Sequence, residues 1–307
     1  MSAAGGTTDA GPLAGVPLLF GEVLYDCFED GARVLGGAPF NVAWHLQALG
    51  ARPVLVSRVG DDPMGREIRD TMQRWGMSGA GLQKDSAHPT GEVRVTLKEG
   101  QPSFEILPGR AYDHIEAHAL PPGTPALVYH GSLALRSPVS AATLAALLRE
   151  RPAPVFLDVN LRPPWWERGR LEGLLDGATW VKINDQELET LVPEGRGLEQ
   201  RAQRLIEAHG LRMAIVTRGA AGAFARRDDG GQLEVAPRGG TPVVDTVGAG
   251  DAFAAVCILG LLRGWPLGET LERAQQLASL LVGRRGATVE DPAFYAPLLG
   301  RWGLQGA

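Results

Sequence analysis

Cysteine and lysine are both scarce in this 307-residue chain. Its two cysteines, Cys27 and Cys257, are too few for a disulfide framework, so a reducing compartment fits and we expect a cytoplasmic protein. Only three of the 30 Lys and Arg residues are lysine (Lys84, Lys98 and Lys182), and the formal net charge is -5, which argues against a nucleic-acid partner. No apolar run approaches the ~20 residues that span a bilayer, so no membrane partner is expected.

Several common motifs for phosphate, metal or acyl chemistry are also missing from the sequence. There is no Gly-x-x-x-x-Gly-Lys-Ser/Thr loop, no Gly-x-Ser-x-Gly elbow and no His-Glu-x-x-His or Cys/His cluster. A Gly-x-Gly occurs at Gly248 and Gly250, but Phe253 stands where a dinucleotide-binding fingerprint has its third glycine. These absences exclude a P-loop and make a dinucleotide site or a dedicated zinc site a poor explanation of the chain.

Strand-like and helix-like segments alternate along most of the chain. Apolar residues make up 44% of the sequence, which is enough for a substantial core, and we see no linker that would separate two folding units. We therefore predict an α/β fold with a mostly parallel sheet covered on both faces, forming a single domain over residues 16–300. Residues 1–15 are small and polar, and we expect them to be a disordered tail.

The segment from Asp245 to Phe253 places glycines at the start of a predicted helix. Pro242–Val244 is typical of the end of a strand, and Ala252–Arg263 has helical length and no proline. Because the first amides of a helix are unbonded donors at its positive end, an anion can bind there without a lysine. Asp251 beside such amides could take a proton from a hydroxyl that attacks a phosphate, or it could simply cap the helix.

The string Asp-Thr-x-Gly-Ala-Gly-Asp-Ala-Phe at this segment resembles the C-terminal signature of the ribokinase-like (PfkB) family of carbohydrate kinases. The resemblance implies that Asp251 is the catalytic base and that the amides of Gly248, Ala249 and Gly250 form an anion hole for the transferred phosphoryl group. It also implies a three-layer α/β/α sandwich with a small β-sheet lid.

A second family signature lies near the N-terminus. Gly36-Gly37-Ala38-x-x-Asn41, followed by Val59-Gly60-Asp61-Asp62, resembles the N-terminal PfkB motif, and the resemblance implies that Gly36, Gly37 and Asn41 contact the sugar. Asp26 follows a predicted buried strand at residues 16–25, which is interrupted at Gly21-Glu22, and the carboxyl ends of such strands are where α/β sheets bind ligands. Asp26 is therefore a candidate sugar ligand, with a plain turn residue as the alternative.

The lid is expected to come from strands at about residues 31–36 and 90–108. Residues 90–98 alternate, with Val93, Val95 and Leu97 on one face, and residues 103–107 follow a turn, which predicts an antiparallel hairpin. A lid over the sugar would exclude water, which competes as a phosphoryl acceptor. Its apolar face could also pair with the lid of a second copy to make a homodimer.

Three further positions match nucleotide-binding elements of the family. Asn184 and Glu187 have the spacing of an ordinary capping box, and the resemblance gives the same pair a role in ordering Mg²⁺ and water around the ATP phosphates. Thr217 and Gly219 are expected to lie along the phosphates and ribose. Gln275 stands near a position that is often Asn in relatives, so the adenine contact is a point where this chain departs from the pattern.

The branch within the family is suggested by Asp158-x-Asn160-x-Arg162-Pro163, which resembles fructokinases and 2-keto-3-deoxygluconate kinases. Arg162 could bind the sugar or form a structural ion pair. The resemblance implies an ATP-dependent kinase acting on free fructose, with Mg²⁺ and possible K⁺ activation through Asp245. Ribokinase, 2-keto-3-deoxygluconate kinase and nucleoside kinase activities remain open, as does a non-catalytic sugar-binding regulator on the same fold.

Overall fold

The computed structural model describes residues 12–98, 101–237, 239 and 242–304. Its strands are β1 (Pro17–Phe20), β2 (Leu24–Phe28), β3 (Arg33–Gly36), β4 (Val54–Gly60), β5 (Leu82–Asp85), β6 (Gly91–Lys98), β7 (Gln101–Ile106), β8 (Leu127–His130), β9 (Val155–Asp158), β10 (Trp180–Asn184), β11 (Met213–Thr217), β12 (Ala223–Arg227) and β13 (Gln232–Val235). Its α-helices are α1 (Ala38–Ala48), α2 (Pro63–Arg74), α3 (Pro138–Glu150), α4 (Arg168–Asp176), α5 (Asp185–Leu191), α6 (Leu198–His209), α7 (Ala249–Arg263), α8 (Leu267–Leu281) and α9 (Pro292–Trp302).

Contacts within the chain divide it into two compact units. Among the described residues, the first unit contains Val16–Pro125, Leu133–Pro152 and residues 286–304, and the second contains residues 12–15, Ala126–Ser132 and Ala153–Arg285. Of the predicted tail, residues 1–11 lie outside the described residues, and residues 12–15 form no helix or strand. Within the described residues, no helix combines the length and the apolar character needed to cross a membrane.

The first unit contains two sets of paired strands. Strand β4 pairs in parallel with β1 on one side and with β5 on the other. Separately, β3, β2, β6 and β7 form a four-stranded sheet, in which β2 and β6 are parallel and the other pairs are antiparallel. Strands β3, β6 and β7 coincide with the predicted lid strands, whereas the membership of β2 was not predicted.

The two faces of the four-stranded sheet differ in chemistry. Register places Phe28, Val95 and Phe104 in one row across β2, β6 and β7, and Val34, Asp26 and Val93 in a second row on the same face. We call these six residues the lid face. Arg94 and Glu105 lie on the opposite face, since neighbouring residues of a strand point to opposite sides. The sheet is thus apolar on the side that carries Asp26 and charged on the other.

The second unit is a parallel sheet extended by a hairpin. Strands β8, β9, β10 and β11 are parallel, and β12 and β13 add antiparallel strands beside β11. Helix α7 is buried without interruption from Ala252 to Gly260, as its lack of charged residues over that stretch predicts. A Cβ on Gly260 would lie 2.4 Å from the Thr270 side chain, so glycine is required there for α7 to approach α8.

Two local predictions are wrong. Pro242–Val244 lies in no strand, and its two valines are exposed because the segment is a loop in which the amides of Val244 and Asp245 donate to the carbonyl of Val282. Residues 16–25 form two strands on either side of the predicted interruption at Gly21-Glu22, but Asp26 lies inside β2 of the smaller sheet instead of following a buried strand. In both places the apolar residues are typical of a strand, but they do not indicate which segment, if any, the stretch pairs with.

Candidate active site

The start of helix α7 presents unbonded backbone amides. Gly248 is the N-cap and has φ 77°, a left-handed conformation that glycine adopts without strain. The amide of Ala249 donates to the carbonyl of Thr246 at 3.3 Å, whereas the amides of Gly248 and Gly250 have no hydrogen-bond partner among the described residues. Of the three amides predicted to bind an anion, those of Gly248 and Gly250 are therefore available to a ligand. The amide of Ala249 is already hydrogen-bonded within the turn that precedes the helix.

Asp251 is the third residue of α7 and is half-buried. Its carboxylate stands in the first turn, where the positive end of the helix dipole favours a negative charge. It follows directly after Gly250, so the carboxylate and an available amide belong to consecutive residues. The structure thus places the carboxylate predicted to accept a proton next to an amide predicted to bind an anion, and both roles stay predictions.

A cavity of about 460 Å³ opens at this end of α7 and lies within the second unit. Ala249, Gly250, Thr217, Gly219 and Asn184 line it, so most of the predicted nucleotide-binding residues meet at one place. Gln275, the residue at which the chain departs from its relatives, also lines the cavity, and its side-chain amide donates to the Ser279 hydroxyl at 3.0 Å.

One wall of the cavity was not predicted. It is formed by one side of α8 with its C-cap, by the loop that precedes α7 and by one residue of α7, and the residues are Pro237, Val243, Phe253, Ala278, Ser279 and Val282. The spacing of Gln275, Ala278, Ser279 and Val282 is the three-and-four pattern of a helix face, which from sequence alone indicates only burial. A mostly apolar wall suits the flat ring of a base.

Asn184 and Glu187 form the predicted capping box at the start of α5. The Asn184 side chain accepts from the Glu187 amide at 2.8 Å, and the Glu187 carboxylate accepts from the amides of Asn184 and Leu161 at 3.0 and 2.7 Å. Burial raises the pKa of Glu187 above its usual value, although these two amides oppose the shift. Asn184 lines the cavity, whereas the Glu187 carboxylate is engaged by backbone amides behind it.

The predicted sugar-binding residues Asp26, Gly36, Gly37 and Asn41 all belong to the first unit. Gly36 is the end of β3 and pairs with Leu24 of β2, the strand that carries Asp26. Asn41 is buried in the first turn of α1, and its backbone amide donates to the backbone carbonyl of Gly37 at 2.9 Å. The four residues thus share neighbouring elements, although Asp26 reaches this group by a route that the sequence did not suggest.

Gly37 is required for a reason other than the predicted close approach of a ligand. It is the N-cap of α1 with φ 107°, and a Cβ there would lie 2.7 Å from the carbonyl oxygen of Glu22. The close neighbour is therefore the protein's own backbone. Gly36 has no positive φ, and a Cβ there would lie 3.8 Å from the nearest atom, Oδ1 of Asn41.

Two other predicted residues, Arg162 and Asp245, belong to the second unit and form hydrogen bonds with nearby backbone groups. Arg162 is exposed, and its guanidinium donates to the carbonyl of Leu161 at 3.4 Å. Asp245 accepts from the amide of Val247 at 3.0 Å, which closes the turn that leads into α7. Neither residue lines the cavity.

A family model described as "pfkB family carbohydrate kinase" matches residues 28–293. The chain belongs to this family. A fructokinase from Klebsiella pneumoniae is 31% identical over 295 residues, which cover 89% of this chain and 95% of that protein. The kinase also resembles two solved structures at 26% identity.

The first of these structures is a fructokinase from Vibrio cholerae with bound fructose, ADP and potassium ion, with a TM-score of 0.77 and coverage of 94% of this chain and 99% of that one. The second is a sugar kinase from Pyrococcus horikoshii in complex with ATP, with a TM-score of 0.75 and coverage of 89% and 94%. The predicted ribokinase-like fold, with mostly parallel strands and a smaller separate sheet, is confirmed. The kinase is a phosphotransferase that acts on a sugar hydroxyl.

Alanine variants of Gly36 and Gly37 test whether the turn requires glycine at position 37. Only Gly37 has a positive φ and a Cβ position in close contact with the backbone. Gly37→Ala should lower the free energy of unfolding by about 1–3 kcal/mol, because the residue keeps a positive φ and its Cβ meets the Glu22 carbonyl. Gly36→Ala is the matched control and should change stability by less than about 1 kcal/mol. Urea unfolding of both variants measures the difference, and equal stability of the two would contradict this account of the turn.

Proposed function

We propose that this kinase transfers the γ-phosphoryl group of ATP to a hydroxyl of free fructose, with Asp251 as the general base. The observation that carries the proposal is the start of α7. There the amides of Gly248 and Gly250, which have no partner among the described residues, adjoin Asp251, and Ala249 and Gly250 line a 460 Å³ cavity. Such amides suit an anion, and a carboxylate beside them suits a hydroxyl that must lose its proton.

In the proposed reaction the sugar oxygen attacks the γ-phosphorus while its proton passes to Asp251. The new P–O bond forms as the bond to the β-phosphate oxygen breaks, and ADP leaves. Charge on the moving phosphoryl group is stabilised by the amides of Gly248 and Gly250, with Ala249 contributing as its bond to Thr246 allows. Thr217 and Gly219 lie along the phosphates, and Gln275 and the α8 wall face the base.

The sugar is assigned to Asp26, Gly36, Gly37 and Asn41, with Arg162 as a further candidate. Asp26 and Asn41 supply the hydrogen-bonding groups that recognise a polyol, and the lid face around Asp26 is otherwise apolar, which favours exclusion of water. Fructose is favoured over the other sugars by the Asp158–Pro163 motif and by the fructokinases among the relatives. Ribokinase and 2-keto-3-deoxygluconate kinase activities are the alternatives.

The residues present fit a magnesium ion that is carried by the nucleotide. The described residues contain no group of three or more His, Cys, Asp or Glu that could hold a metal alone, and Mg²⁺ in such sites is bound chiefly by phosphates and water. When bound, it supplies positive charge at the phosphate oxygens. Asn184 faces that space, with Glu187 orienting it through the capping box. Asp245 is the candidate for a potassium ion near the same turn.

Asp251→Asn tests the catalytic assignment. Turnover with ATP and fructose should fall by about 10²–10⁴-fold, because the amide cannot take the proton, while ATP and fructose still bind. The matched control is Glu269→Gln, since Glu269 is also an acidic residue in the first turn of its helix, α8. A coupled assay of ADP release, together with calorimetric binding of each substrate, measures both variants.

The outcomes of this comparison are distinct. Unchanged turnover in the Asp251→Asn variant would remove the residue from its role as base. Wild-type turnover that prefers ribose, 2-keto-3-deoxygluconate or adenosine would overturn fructose as the substrate and leave the kinase assignment intact. Binding of sugar and ATP without turnover of any sugar would favour the alternative of a sugar-binding regulator.

We further propose that two copies pair through the lid face. Phe28, Val34 and Phe104 lie on this face and remain exposed, with Phe104 58% exposed, whereas the opposite face carries charged residues. Because an exposed apolar sheet face favours association, a dimer of the 32.6 kDa chain is expected. Phe104→Ser should shift the mass measured by light scattering toward the monomer, whereas its neighbour variant Glu105→Ser should not. A monomeric wild type at all concentrations would contradict the proposal.

A further inference from the structure

Lys182 carries a buried positive charge that the proposed mechanism does not yet use. It lies in the middle of β10 and is 7% exposed. Its ammonium contacts both carboxylate oxygens of Asp158, the residue paired with it in register on β9, at 2.9 Å each. The hydroxyl of Tyr129 also donates to Asp158, at 3.3 Å. A buried ion pair of this kind is seldom the most stabilising choice for a core, so its position calls for a functional explanation.

The ammonium of Lys182 lies directly beneath the start of α7. A Cβ placed on Gly250 would lie 3.4 Å from Nζ of Lys182 and 3.9 Å from its Cε, and no atom of Asp158 lies within 4 Å of that point. Of the two charged groups of the ion pair, the ammonium is therefore the one nearer to the Cβ position of Gly250. The same Gly250 carries one of the two amides that have no partner among the described residues.

The charges around Lys182 are those of the proposed reaction. Burial by itself would lower its pKa, but the adjacent Asp158 carboxylate raises it, with smaller contributions from Asp251 and Glu187, so the pKa lies above its ordinary value. The group is thus a permanent cation. One carboxylate, that of Asp158, contacts this ammonium, and those of Asp251 and Glu187 are close enough to act on it, at a place where a nucleotide would add further negative charge.

We propose that Lys182 is a positioning residue for phosphoryl transfer, acting through the start of α7 and not by contact with the substrates. Its ammonium supports Gly250 from below and supplies positive charge behind the amides of Gly248 and Gly250. Charge that grows on the transferred group in the transition state is stabilised by this arrangement more than charge already present in bound ATP. This inference rests on the proposed role of the α7 amides.

The double variant Lys182→Met with Asp158→Asn tests the inference, because it removes both charges and leaves neither one unpaired. Stability should be retained within about 1–2 kcal/mol, since neutral replacement of a buried pair is well tolerated. We expect kcat to fall about 10- to 100-fold, less than for loss of a direct donor, while KM for ATP and for the sugar stays within about threefold. The control Lys84→Met removes an exposed lysine of the first unit and should leave kcat unchanged.

A second readout separates an electrostatic role from a merely structural one. The affinity for ADP with aluminium fluoride, which mimics the transferring phosphoryl group, should fall in the double variant by about the same factor as kcat, whereas the affinity for ADP alone should not. Wild-type kcat and wild-type affinity for the mimic in a folded double variant would overturn the inference.

If the double variant does not fold, two single variants of Lys182 still test whether its positive charge contributes to kcat. Lys182→Arg retains the charge and Lys182→Gln removes it, so kcat of the first should exceed kcat of the second by about tenfold; equal values would overturn the inference. The assays use fructose, or whichever sugar the wild type phosphorylates. Wild-type activity on another sugar therefore overturns only the fructose assignment, while the ratio of variant to wild type decides the role of Lys182.

Discussion

The geometry of the candidate active site depends on one backbone constraint, the left-handed conformation of Gly248 at the start of α7. With φ 77° at this residue the chain turns from an irregular loop directly into a helix whose first amides remain unbonded at Gly248 and Gly250. The same turn sets Asp251 in the first turn of the helix. The two amides, the Asp251 carboxylate and the end of the cavity lined by Ala249 and Gly250 are therefore consequences of one local geometry, which is held in place by the burial of the helix that follows.

Much of this arrangement could be predicted because it depends on residues that are close together in the sequence. Glycines ahead of an apolar run indicate a helix start with free amides, and Asn184 with Glu187 indicates a capping box, which the structure confirms with both bonds. The hairpin at β6–β7 follows from alternation and turn residues. In each case the pattern and the contact that it implies lie within a few residues of one another.

What the sequence could not reveal depends on partners that are distant in the chain. Val243 and Val244 have the composition of a buried strand, but the loop amides bond to Val282 and the valines stay exposed. Lys182 is one of three lysines in the sequence, but its ion pair and its position depend on distant residues. Asp158, which it contacts, is 24 residues earlier on a neighbouring strand, and Gly250, which it adjoins, is 68 residues later. Asp26 is joined to the proposed sugar-binding residues Gly36, Gly37 and Asn41 through the pairing of β2 with β3.

The central claim is that amides at the start of α7 hold the transferred phosphoryl group while Asp251 activates a sugar hydroxyl. A crystal structure of the kinase with ADP, Mg²⁺, aluminium fluoride and fructose tests it most directly. The account predicts fluoride atoms within about 3 Å of the amides of Gly248 and Gly250, and a fructose hydroxyl within about 3 Å of the Asp251 carboxylate. A nucleotide bound outside the cavity, or an Asp251 side chain turned away from the sugar, would contradict it.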